Sequence, residues 1–219
     1  MRTTLCVLIL FLAIQSSGQT TKVNFKLKDQ LDSIYKLDQK YRDLLYLCMD
    51  KTKKDSISKS LAISINEIDG YICTNMIKTD TLNLAFIESV IKEFGYPGIT
   101  LVGEGTNETA FYVIQHSNKI EKYLPVILKA GQAKELAFTK VAMMEDRYLM
   151  DQGKEQIYGT QLCNGRLKNG DTSNIVWPIK DPTNINKLRK QAGFKDTIEE
   201  YAKEFNVEYR VVKLDEIKK

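Results

Sequence analysis

The chain has 219 residues, 43% hydrophobic and 27% charged, which suits a globular protein with one sizeable core. Its 32 basic and 28 acidic residues leave a net charge of +4. That excess is too small and too dispersed for a nucleic-acid surface, and the mixed charges read as solvated helix faces.

The first eighteen residues stand apart as a signal peptide. Arg2 supplies a positive start, Leu5 to Ile14 is an unbroken apolar run, and Ser16-Ser17-Gly18 offers small residues for cleavage before Gln19. The run is shorter than the roughly 20 residues that span a bilayer. Cys6 lies near the start of the run and does not resemble a lipoprotein acceptor. The mature chain therefore reads as soluble and exported, periplasmic or extracellular, with no transmembrane segment. Cys48, Cys73 and Cys163 remain, an odd set whose spacings match no metal motif, and no obligatory disulfide is expected.

After a lead-in over 19–26, Leu27, Leu31, Ile34, Tyr41, Leu45 and Cys48 recur at helical spacing, predicting a helix from near Asn24 to near Asp50. Asp38 interrupts that apolar stripe, and Arg42 stands one turn later as a local partner. Lys51 to Lys59 reads as a charged link and Ser60 to Ile77 as a helix. Asn83 suits the N-cap of a further helix over Leu84 to Phe94, ended by Gly95 and Pro97. Ile99 to Gly105 reads as a loop with Gly103 and Gly105 at positive φ. It lacks the flanking strand and Lys-Ser/Thr of a phosphate loop.

Thr106 or Asn107 caps the next helix, which ends at Gln115-His116 and so places the only histidine in a last turn. A helix from Asn118 carries Pro125 as a kink or a restart, and Lys134 to Gln152 forms another amphipathic helix, stopped by Gly153. Ile157 to Leu162 and Ile175 to Ile179 are β-prone runs joined by Asn-Gly turns, which predict a hairpin or ordered loop. Asp181-Pro182 opens a helix that ends at Gly193, and Thr197-Ile198-Glu199-Glu200 is a capping box for a last helix to Phe205. Residues 207–219 form a final strand or tail. The expected architecture is mainly α, a single-domain multi-helix bundle over 27–206 with a small β-hairpin or ordered loop near residues 155–180.

Four blocks, FGYPGITLVG (94–103), FYVIQHS (111–117), EDRYLMDQGKEQIYGTQ (145–161) and WPIKDPTNINKLRKQAGF (177–194), follow one another in order, and LDQKYR (37–42) precedes them. Together they resemble a bacterial domain family of unknown function, carrying its Gly-aromatic-Pro, Gln-His, Asp-Arg, Tyr-Gly-Thr-Gln and Pro-x-x-Asp-Pro…Arg…Gly signatures. The likeness covers roughly Leu27 to Phe205. It implies a mostly helical domain often found behind a signal peptide, and no established activity, substrate or cofactor.

The polar residues of these blocks make a candidate site. His116 is the potential general base and Asp146 a carboxylate to orient it. Asp38, Gln115, Arg147, Gln156, Tyr158, Thr160 and Gln161 would bind a small polar ligand such as a sugar or peptide fragment. One reading is a polar-ligand pocket. A second is a non-catalytic envelope or interaction module in which the same groups form a structural hydrogen-bond network. A third is a hydrolase with His116 as its base. One histidine, without HExxH or CxxC, gives no expectation of a metal or cofactor, and no G-x-S-x-G elbow is present.

Overall fold

A computed structural model describes residues 23–165 and 167–218; the signal peptide expected over 1–18, with Cys6 and the cleavage point, lies outside the described residues. The fold is mainly helical, a single-domain multi-helix bundle with a two-stranded hairpin at 162–176. Helix α1 (Phe25–Leu47) starts where the Asn24 side chain accepts the Leu27 N–H at 3.1 Å. The stretch read as a charged link is instead helical. Asp50 caps it by accepting the Lys53 N–H, and α2 (Lys51–Leu61) follows as a polar, surface helix.

Helix α3 (Ile68–Phe94) runs through the position expected to separate two helices. No glycine or proline interrupts residues 71–94, and Asn83 is buried in mid-helix, where it caps nothing. The glycine-containing segment after it holds one helical turn, α4 (Ile99–Val102), between Gly98 and Gly103. A 3-10 turn over Thr106–Glu108 leads into α5 (Thr109–Gln115), with His116 as its C-cap. Helix α6 (Ile120–Gln132) contains Pro125 without breaking, and Lys134 then takes a left-handed φ of 60°. That left-handed residue delays the next helix, α7 (Phe138–Asp151), four residues past its expected start.

The largest core cluster joins α1, α3, α5, α6 and α7 through fully buried Leu31, Ile87, Phe111, Ile114, Ile127, Val141 and Met144. A second cluster lies C-terminal to it. Strands β1 (Leu162–Asn164) and β2 (Asn174–Val176) pair antiparallel, with Leu162 opposite Val176. Val176 and Ile179 pack there with Ile185 of α8 (Ile185–Ala192) and with Ile198 and Ala202 of α9 (Ile198–Glu204). The expected capping box of α9 is present in both directions: Thr197 accepts from the Glu200 N–H and Glu200 accepts from the Thr197 N–H.

The hairpin is shorter than the sequence predicts because Ile157, Tyr158, Thr160 and Gln161 give their backbone N–H groups to side chains. Only Gln156 makes a bridge there, a parallel one with Ile179. Helix α8 starts late because Asp181 folds back onto the backbone N–H and side chain of Asn184. The described residues after α9 form no strand; Val207 and Val212 are buried and Leu214–Glu216 makes a 3-10 turn. Cys48, Cys73 and Cys163 are all free thiols.

Candidate functional site

Most of the candidate residues fall into two hydrogen-bond networks that share no bond among the described residues. The first lies where α1 meets α5. Asp38 has no exposed side-chain surface, yet its carboxylate faces His116, whose Nδ1 stands 3.1 and 3.2 Å from the two oxygens. A carboxylate only accepts, so Nδ1 carries the hydrogen and Nε2 presents the other ring position. No described residue bonds Nε2, and the histidine side chain keeps 22% of its surface exposed.

The rest of this network fixes Asp38 in place. Gln39 Nε2 donates to its Oδ2 at 2.7 Å, and Arg42 Nη1 donates to its backbone carbonyl at 2.5 Å. Arg42 also makes a two-pronged pair with Asp80 on α3, at 3.0 and 2.8 Å, tying α1 to the neighbouring helix. The arginine that sequence spacing offered as a local partner thus spends its guanidinium mainly on Asp80 and lies 3.5 Å from the Asp38 carboxylate.

Next to this pair runs a half-buried aromatic and charged seam that the sequence reading did not single out. The Tyr35 and Tyr112 rings lie 5.4 Å apart. Lys140 donates to the Tyr112 hydroxyl at 2.6 Å and pairs with Glu108 at 3.1 Å. Burial works against the Lys140 charge, but Tyr112 and Glu108 outweigh it and hold the ammonium above its usual range. Burial likewise pushes the Tyr35 hydroxyl up. The signal was available in spacing: 108, 112 and 116 share one helical face, as do 35, 38 and 42.

The second network is centred on Asp146, on α7, which is fully buried. Its carboxylate accepts the backbone N–H of Ile157 (2.7 Å), of Tyr158 (3.0 and 3.1 Å) and of Thr160 (3.0 Å), and the Thr160 hydroxyl (3.0 Å). Burial pushes this carboxyl up while the donated hydrogens pull the other way. Gln156 closes the loop from beneath. It donates to the carbonyls of Trp177 (2.7 Å) and Gln161 (3.1 Å) and accepts the Gln161 N–H (2.9 Å). Gln161 Nε2 in turn donates to the Thr160 hydroxyl at 3.0 Å. The side chains of Asp146, Gln156, Thr160 and Gln161 are therefore bonded to the protein itself.

Arg189 belongs to the same network. Its side chain is 1% exposed and lies between the Phe194 and Tyr201 rings, 4.7 and 4.9 Å from their centroids. It donates to the Tyr158 carbonyl (3.0 Å) and to Asp196, at its backbone carbonyl (3.1 Å) and side chain (2.6 Å). Arg189 is thus the clamp that holds the loop over Tyr158 to Gln161 onto α8. Gly159, at φ +72°, lets that loop turn where an added Cβ would sit 2.6 Å from Ile198 Cδ1.

The remaining candidates are distributed. Arg147 does not pair with Asp146; it is 41% exposed, with Nε 3.6 Å from Asp151 and no hydrogen bond. Gln115 Oε1 is buried without a partner. The Tyr158 ring stacks edge-on to Phe138, 6.3 Å away. Among the described residues no group of three or more His, Cys, Asp or Glu is placed to hold a metal ion, and no helix is long and apolar enough to cross a membrane.

Residues 46–213 match the model of a family described as Family of unknown function (DUF6624). No curated protein and no solved structure matches the chain.

Proposed function

The chain belongs to this family of unknown function, and from that premise we propose that it is an exported domain whose ligand site lies at the seam of α1 and α5. His116 is the proton-handling group of that site, Asp38 positions it, and the Asp146 network is the scaffold that holds the second half of the fold. One observation carries the reading: Asp38 is buried and orients His116 through Nδ1, while Nε2 has no described partner and the ring reaches solvent. This is the arrangement of a positioned general base or a hydrogen-bonding ligand contact. Tyr35 and Tyr112 supply an aromatic wall and Lys140 a cation, which suit a polar ligand such as a sugar or peptide fragment. Gln115, whose buried Oε1 has no hydrogen-bond partner, and Arg147, whose Nε makes no hydrogen bond and lies 3.6 Å from Asp151, are the further candidates for contacting it.

The test exploits the single histidine. Ring signals of His116 in nuclear magnetic resonance spectra are followed while chitin oligosaccharides and short peptides are added. A saturable shift that is lost in Tyr112→Ala supports the site. Silence across the panel, with His116→Ala losing several kcal/mol of stability, favours the second reading. In that reading the Asp38–His116 pair is structural too, and the domain is a non-catalytic envelope module. The observation in its favour is that Asp38 already holds Gln39 and His116. Export is tested by the N-terminus of the protein recovered outside the cytoplasm, which this reading sets at Gln19.

A further inference from the structure

A cavity of about 800 Å³, which shares no lining residue with the His116 seam, lies between β1, the glycine after α7 and the C-terminal segment. Cys163, Trp177, Leu214 and Ile217 line it, with Lys168, Asp215 and Lys218 at its edge. Its walls are fixed. The Trp177 indole N–H donates to the Lys154 carbonyl at 2.7 Å, and its backbone N–H donates to Gln161 at 2.9 Å. The C-terminal segment is tied down by the Lys168 N–H on the Glu216 carbonyl (2.9 Å), by a bridge between Leu167 and Ile217, and by Val212 buried against Leu167 and Ile175. Burial also pushes the Cys163 thiol up, in keeping with an apolar wall. The volume falls within the range of small-molecule sites, which are mostly apolar with a few polar groups that set orientation. Among the described lining residues two lysines stand against one aspartate, an excess of positive charge.

We propose that this cavity binds a single-tailed anionic amphiphile, its alkyl chain between Trp177 and the Leu214–Ile217 segment and its carboxylate head at Lys168 and Lys218. The site is separate from the His116 seam and does not depend on it. The sole tryptophan makes the test direct: dodecanoate, below its micelle concentration, is titrated into the full chain while Trp177 emission is recorded. The expected result is a saturable change. Each methylene removed from the ligand weakens binding roughly fourfold, and dodecyltrimethylammonium binds more weakly than dodecanoate. Cys163→Phe, which fills the cavity, abolishes the change. Lys168→Glu, on an exposed turn that tolerates substitution, weakens dodecanoate and leaves dodecanol unaffected. No saturable change, as when another part of the chain fills the cavity, overturns the proposal. So does equal binding by Cys163→Phe, or a Lys168→Glu protein that binds dodecanoate as wild type does.

Discussion

Asp38 and His116 stand 78 residues apart in the chain and meet at 3.1 Å, the carboxylate without solvent exposure and the imidazole at the surface. That asymmetry separates this pair from Asp146, whose oxygens are all taken by the loop they hold. One carboxylate orients a side chain toward solvent; the other replaces a stretch of missing backbone pairing.

Asp38→Asn removes the charge that selects the Nδ1–H form of His116. In the wild type, ring nitrogen shifts should show the Nδ1–H tautomer of the imidazole. In the variant the two tautomers mix, because an amide can either accept or donate. Stability falls by about 1–3 kcal/mol as the His116 and Gln39 contacts lose their ionic partner. An unchanged tautomer would show that something other than Asp38 sets the ring.

Gly159→Ala meets two penalties at once. The left-handed φ of +72° costs an L-residue about 1–2 kcal/mol, and the new methyl group meets Ile198 Cδ1 and Ile179 Cδ1 at 2.6 and 3.1 Å. Overpacking of this kind costs about 1–3 kcal/mol more. Urea unfolding should show a loss of roughly 2–5 kcal/mol. A loss under 1 kcal/mol would mean that the loop reorganises freely.

Arg189→Lys keeps the charge and loses the fork. A lysine cannot reach the Tyr158 carbonyl and Asp196 together, nor lie flat between Phe194 and Tyr201. With the site closed to solvent, the expected loss is about 3–5 kcal/mol, seen as a lower melting temperature. A variant as stable as wild type would remove Arg189 from the scaffold.

Glu88 provides a pH signature. Lys122, Lys119 and Tyr123 donate to its carboxylate, at 2.9, 2.9 and 2.7 Å, and hold its pKa at about 2 against an ordinary 4.5. Because the folded value is depressed, the folded state binds fewer protons than the unfolded one between these limits. The stabilisation is complete above pH 4.5 and disappears as pH falls towards about 2. The stability gap between wild type and Glu88→Gln should therefore be full at neutral pH and close across that window. A gap that does not change with pH would show that the pairing is not ionic.

The helices were legible where apolar spacing or capping chemistry spoke locally. The first helix, the Thr197 box, and the stops at Gly95 and Gly193 all follow from short-range rules. Asn83 misled because a capping residue inside a longer apolar stripe is overridden by burial. The β-prone runs over 157–162 and 175–179 predict a longer hairpin than the one that pairs Leu162–Asn164 with Asn174–Val176. No propensity states that Asp146 will take the N–H groups of Ile157, Tyr158 and Thr160 in place of a strand partner. The same limit applies to the site. Asp38 stood out because a carboxylate on an apolar stripe needs a partner, yet its meeting with His116 is a tertiary fact. Lys140 and Glu108 carry no mark in the sequence, and their pairing depends on α7 packing beside α5.

Equilibrium urea unfolding of His116→Ala beside Asp146→Ala tests the division between site and scaffold most directly. His116 sits at the surface, where water can take its place beside Asp38, so its loss should cost about 1–2 kcal/mol. Loss of Asp146 leaves three backbone N–H groups and a hydroxyl without an acceptor, and should cost about 3–5 kcal/mol. Losses of several kcal/mol in both variants would contradict the account and make His116 part of the framework.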